Sequence, residues 1–138
     1  MSNQQQTLNP AQLATPCIPW WRLTGIAISQ TNVALNIFNL ASNAQSRYLP
    51  PASGRVVGVS LGADANLTAG TLTISLFIAN ALAASVTITN ADSLPVYKTF
   101  ATPQAFTSAQ SIDFRYSSDA AVATLSIIQV IPNIIYDA

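Results

Sequence analysis

Between Gly54 and Thr89 the chain reads GRVVGVSLGADANLTAGTLTISLFIANALAASVTIT, and its second half alternates with period two. Leu72, Ile74, Leu76, Ile78, Leu82, Ala84, Val86 and Ile88 fall on even positions, while Thr71, Thr73, Ser75, Ser85, Thr87 and Thr89 fall on odd ones. Alternation of this kind belongs to strands with one face buried. A three-residue turn at Ala79, Asn80 and Ala81 would pair Ile78 with Leu82, Leu76 with Ala84, Ile74 with Val86 and Leu72 with Ile88. One face is then apolar and the other is a Thr/Ser ladder that includes Phe77, and a one-residue slip would invert both. Asn80 suits the turn because Asn tolerates the left-handed conformation. No charge occurs between Asp64 and Asp92, yet a membrane-spanning helix has no reason to alternate Thr and Ser with Leu and Ile.

The same pattern predicts the remaining strands. Trp21, Leu23, Ile26 and Ile28 alternate with a change of parity at Gly25, which indicates a bulge or bend. Val33, Leu35 and Ile37 form a second strand, joined to the first through Gln30 to Asn32. Residues 41–53 connect onward, since Pro50 and Pro51 forbid a central strand. Val57, Val59 and Leu61 form the next strand, with Gly58 on its other face where another backbone comes close. After the hairpin, residues 95–101 read as a short edge strand and 102–109 as a loop pinned by Phe106. Ile112, Phe114 and Tyr116 then point one way and Asp113 and Arg115 the other, toward solvent. The last strand, 122–131, is apolar on both parities from Ile127 to Ile131, so both of its faces are expected to be covered. Pro132 ends it, leaving a short apolar tail with Ile134, Ile135 and Tyr136. Eight or nine short strands without a helical period predict an all-β fold, an antiparallel two-sheet sandwich of jelly-roll type. An immunoglobulin-like sandwich or a small barrel is the alternative.

Residues 1–19 break this regularity. They are rich in Gln, Asn, Thr and Pro and form an N-terminal arm ahead of a β-sandwich domain at 20–138. Either the arm is a disordered tail or it becomes ordered along a neighbouring subunit. The Pro16-Cys17-Ile18-Pro19-Trp20-Trp21 sequence favours the second, because two adjacent indoles are costly to leave in water. One Trp is expected to seal the core and the other to face a partner. The single Cys17 implies neither a disulfide scaffold nor a zinc site. With no basic residue before Arg22 and no continuous apolar run, no signal peptide is expected.

Composition sharpens the picture chiefly through charge. Asp, Glu, Lys and Arg make up 7% of the 138 residues, the net charge is zero, and Glu and His are absent, whereas an ordinary soluble domain carries about 25% charged residues. Either the surface is rich in Ser, Thr, Asn and Gln, or neighbouring subunits cover much of it. Five cations spread over positions 22, 47, 55, 98 and 115 form no basic stripe, so nucleic-acid binding is not expected. Acid or base catalysis would fall to five scattered aspartates, 64, 92, 113, 119 and 137, and nothing supplies a nucleophile's base or a phosphate cradle. Asp64, Asn66 and Thr68 are spaced like part of a calcium loop, but the glycine is misplaced and no acidic residue closes the site. No enzyme, cofactor or metal is expected.

Two segments carry a family resemblance. The strand GxVxGVSL at 54–61 leading into Ala65-Asn66-Leu67-Thr68-Ala69-Gly70-Thr71-Leu72-Thr73 resembles a "GxIxGISV…AxxTAGTLTV" pattern of small jelly-roll virion proteins of tailed bacteriophages. Phe106 to Phe114 followed by Ser117-Ser118-Asp119-Ala120 is similar to their "FxAGDxIxVxxTSDA" segment, with Ser108-Ala109-Gln110 where that family tends to have Ala-Gly-Asp. The resemblance spans 54–131. It implies a capsid decoration or cement protein, a homotrimer on the outer capsid surface of a virion, synthesised in the host cytoplasm and partnered by itself and the major capsid protein, with no nucleic acid and no membrane. Interface residues are then expected in the arm and first strand (Pro16, Ile18, Pro19, Trp20, Trp21), on the ladder (Thr73, Ser75, Phe77, Ser85, Thr87) and in the tail (Ile134, Tyr136). The other function considered is a tail or fibre-head module that binds a host-surface glycan, using Phe77 or one of Tyr48, Tyr97 and Tyr116 as a stacking platform.

Overall fold

The Leu72–Thr89 alternation folds into the hairpin it predicts, with one change beside the turn. In a computed structural model, which describes residues 19–37, 46–119 and 126–137, strand β5 (Leu72–Ile78) pairs with β6 (Ala81–Ile88) in the register Leu72 to Ile88, Ile74 to Val86 and Leu76 to Ala84. The outer ladder pairs Thr73 with Thr87 and Ser75 with Ser85, whose hydroxyls lie 2.9 Å apart. The turn has two residues, Ala79 and Asn80, both at positive φ (51° and 64°). Two consecutive left-handed residues match the strand twist. Ile78 therefore pairs with Ala81 and Phe77 with Leu82, and the register shift is taken up beside Ala83. Leu82, expected on the buried face, turns outward and is 61% exposed.

The other strands are β1 (Trp21–Thr24), β2 (Gln30–Ala34), β3 (Asn36–Ile37), β4 (Gly54–Ala63), β7 (Val96–Phe106), β8 (Ile112–Ser118) and β9 (Ile127–Tyr136). They form two antiparallel sheets, ordered β3-β1-β9-β4-β7 and β2-β8-β5-β6. With the two-residue β3 set aside, β5 and β6 are the only consecutive strands that are neighbours in a sheet. Every other connection crosses between sheets, which is the wrapping of an eight-stranded jelly roll. The described residues contain no helix long and apolar enough to cross a membrane.

The core lies between the sheets. Trp21, Val56, Val59, Leu61, Ile128 and Val130 face Leu72, Ile74, Leu76, Ile88, Phe114 and Tyr116. Trp21, fully buried, meets Phe114 edge to face at 4.9 Å and donates Nε1 to the Ser46 carbonyl at 2.7 Å. Buried aromatic pairs of this geometry add about 0.5–1.5 kcal/mol beyond their area. Gly25, at φ 78°, ends β1 and passes its N–H to the Ser126 carbonyl, placing the bend where the parity changes.

Several strand limits differ from those predicted. β4 shifts register between Val56 and Gly58, so Val56 rather than Val57 enters the core. β2 begins at Gln30, the connection being 25–29. β7 continues through Pro103 to Phe106, because proline is tolerated on an edge strand whose own irregularity falls there. β9 continues through Pro132 for a related reason: its pairing with β1 stops at Val130, so beyond that point it is an edge on one side. Ile131 and Ile135 consequently stand on an outer face that nothing in the described chain covers, and they are 40% and 41% exposed.

Candidate functional site

The twelve expected interface residues separate into three groups. Pro16 and Ile18, like Cys17 and the rest of residues 1–18, lie outside the described residues. Four others are filled by the chain's own packing: Trp21 against Phe114, Ile134 in the core, Ser75 against Ser85, and Phe77 under a guanidinium. In the single chain these four are packed internally. Pro19, Trp20, Thr73 and Tyr136 are half-buried, and Ser85 and Thr87 are exposed. The Tyr136 ring stands edge to face with Phe106 at 6.1 Å. Burial, with Tyr48 beside it, pushes its hydroxyl above the ordinary phenol range.

The outer face of β2-β8-β5-β6 is closed by one charged clasp. Arg115 folds back over the Phe77 ring, its guanidinium carbon 3.8 Å from the centroid, while Nε donates to Asp113 Oδ2 at 2.8 Å. Asp113 was expected to face solvent, but under this cover it is 1% exposed. Alternation assigns a side chain to a face and is silent on what lies over that face. Arg115 Nη2 also donates to Asn80 Oδ1 at 2.6 Å, and Arg47 Nη2 reaches the same oxygen at 3.2 Å. Phe77 is thus unavailable as a platform for a sugar ring.

The outer face of β3-β1-β9-β4-β7 is built differently. Tyr97 on β7, Ile131 and Ile135 on β9 are all at least 40% exposed. Ser60 pairs with both Ile131 and Tyr97, and Gly58 with both Asn133 and Thr99, so these residues form adjoining rows. A Cβ at Gly58 would lie 2.5 Å from the Lys98 carbonyl and 2.7 Å from the Tyr97 hydroxyl, so glycine there lets the β7 backbone and the Tyr97 ring settle onto β4. Asn133 Nδ2 donates to that hydroxyl at 3.0 Å. Arg55 lies directly across from Ile135 on this face and pairs with Asp137 at 3.7 Å, the two side chains 45% and 61% exposed. The sequence signal for this face was the apolar run on both parities of β9.

Each aspartate is occupied. Asp64 accepts the Ser126 hydroxyl and the Ser126 and Ile127 N–H groups, and these bonds hold its carboxyl below the usual range. Asp92 is lowered by Lys98 Nζ at 2.9 Å and the Thr89 N–H. Asp119 accepts the Thr71 N–H at 3.0 Å. It sits at the end of β8 remote from Asp113, so the two carboxylates do not form a pair. Asn66 turns its carbonyl to the Leu94 N–H, so Asp64 and Asn66 point apart instead of converging as calcium ligands. A shallow cleft of about 430 Å³ opens beside Arg22, Asp64, Pro95 and Gln129. It presents no His, Cys or hydroxyl nucleophile. Compared with known proteins, the chain matches no family model, and no curated protein matches it.

Proposed function

We propose that the chain is a non-enzymatic virion structural protein, a decoration or cement protein that docks on the outer capsid surface and bridges neighbouring major capsid subunits as a homotrimer. The observation that carries this reading is the outer face of the five-stranded sheet, where Tyr97, Ile131 and Ile135 stand open around Ser60, Gly58 and Asn133, with Arg55 beside Ile135 as the charge at its edge. Clustered exposed apolar side chains with polar residues at their rim mark a protein contact more often than a bare monomer face. The jelly-roll wrapping is compatible with the reading, since the fold recurs in capsid and lectin domains, but a fold hosts many functions. The resemblance at 54–131 supplies the capsid context. The mechanism is mass action: a subunit that binds only the assembled lattice stabilises it by its own binding free energy.

The test is addition of purified protein to undecorated capsid shells, followed by sedimentation and thermal unfolding of the shells. Co-sedimentation and a raised shell unfolding temperature are expected, and both should be lost in an Ile131→Asp, Tyr97→Asp double variant. Failure of the wild-type protein to bind shells overturns the reading. Deletion of residues 1–19 should weaken attachment and leave the sandwich folded; undiminished decoration by the truncated protein would remove the arm from the account.

A further inference from the structure

An open sheet ends in strands that show a row of unpaired N–H and C=O groups, and chains normally blunt such edges with brevity, Pro, Lys or a bulge. The edges here are β3 and β7 in one sheet and β2 and β6 in the other. Three of them are blunted. β3 is two residues long, and β2 shifts register between Gln30 and Val33 with Asn32 at φ 49°. β7 carries Pro103 and Lys98, whose Nζ is drawn to Asp92 at 2.9 Å. β6 differs from all three. Its register shift is confined to the neighbourhood of the turn, and from Ala84 to Ile88 every residue pairs in order with β5. This stretch has no charge, Pro or Gly, and among the described residues its backbone bonds to β5 alone. Ser85 and Thr87 are exposed on its outer row, and Val86 and Ile88 are buried on its inner one. A strand added at this edge continues both rows, so its outward side chains are polar and uncharged and its inward ones apolar.

We propose that the free edge of β6, over Ala84 to Ile88, takes an extended segment of a different protein as an added strand, with Thr or Ser of that segment facing outward and aliphatic residues facing the core. Backbone pairing supplies the attachment and the alternate side chains supply the selectivity. A second copy of the chain is the poorer occupant. Its other edges are blunted, which leaves β6 against β6, and that pairing needs a two-fold axis that a three-fold trimer lacks. The inference rests on the reading of the chain as a trimer that docks on a capsid, and it names the element of the docked subunit that the chain holds.

The experiment is hydrogen exchange of the full chain, free in solution and bound to undecorated capsid shells, read by mass spectrometry over the β6 segment. Exchange there is expected to slow about 10-fold on the shells. Thr87→Lys, at an exposed position of the edge, is expected to fold as the wild type does and to bind shells about 10-fold less tightly. Shell binding that leaves β6 exchange unchanged overturns the proposal while the docking reading stands, as does undiminished binding by a folded Thr87→Lys protein. Failure of the wild-type chain to bind shells overturns both. Slow β6 exchange already in the free protein, together with a mass that is an even multiple of the single chain, gives the edge to a second copy and overturns the proposal.

Discussion

The two outer faces of this sandwich solve the same problem in opposite ways. On the four-stranded sheet the odd-numbered row closes on itself: Ser75 meets Ser85, and Arg115 roofs both Phe77 and Asp113. On the five-stranded sheet Tyr97, Ile131 and Ile135 have Ser60, Asn133 and Arg55 beside them and still remain open. A single jelly-roll layer cannot cover its own back, so apolar residues there either acquire a charged cover or wait for another chain. The ladder of Thr and Ser, which sequence alone nominated as the contact surface, is thus the more self-sufficient of the two.

The largest effect expected from breaking this contrast comes from the closed face. Arg115→Met keeps an apolar cover over Phe77 but leaves the buried Asp113 without its cation, and a buried charge stripped of its partner costs about 3–5 kcal/mol. Urea unfolding should show a loss in that range, and adding Asp113→Asn should restore most of it. A change confined to solvent would lower stability by far less.

Next comes the backbone saddle of the open face. Gly58→Ala puts a methyl 2.5 Å from the Lys98 carbonyl, which can yield only by parting β7 from β4. Overpacking of this kind costs about 1–3 kcal/mol, read as a fall in the urea midpoint. Ile131→Thr should sit at the other extreme. Its side chain is 40% exposed, so monomer stability should change by no more than about 0.5 kcal/mol while self-association weakens. The pairing of a large association effect with a small stability effect is what distinguishes an open face from a core position.

The smallest effect is on pH dependence, and it comes from the rims. In the folded chain the hydrogen bonds from Ser126 and Ile127 hold the Asp64 carboxyl, and Lys98 and the Thr89 N–H hold that of Asp92, below the ordinary carboxylate value of about 3.9 that applies unfolded. The folded state therefore holds these protons less tightly. Its advantage is complete above the unfolded value and is lost as pH falls through the lower folded values. Between about pH 5 and pH 2 the urea midpoint of the wild-type protein should fall more steeply than that of an Asp64→Asn, Asp92→Asn variant. Parallel slopes would mean that neither carboxylate is stabilised by folding.

How far the chain could be read from its letters follows from what alternation encodes. Period two assigns residues to faces, so the pairs Leu72 with Ile88, Ile74 with Val86 and Leu76 with Ala84, the two-sheet class and the inward aromatics Phe114 and Tyr116 were all legible. Turn length was not, because Ala79 and Asn80 adopt a two-residue left-handed turn that a three-residue guess replaces without disturbing the distant register. Only Leu82, beside the turn, reveals the difference. Cover was illegible too. Nothing local says that Arg115 lies over Phe77 or that Asp113 is sealed beneath it, since both facts depend on the β5–β8 pairing of Ser75 with Arg115 and Phe77 with Asp113. Proline was misleading for a topological reason: Pro132 looks like a stop until β1 is seen to leave β9 at Val130.

The central claim is that the open face of the five-stranded sheet is a subunit contact. Its most direct test is size-exclusion chromatography with light scattering across a concentration series. The account predicts a mass three times that of the 14.5 kDa chain, falling toward the single-chain mass in Ile131→Asp. A compact 14.5 kDa monomer for the wild-type protein at every concentration would contradict it.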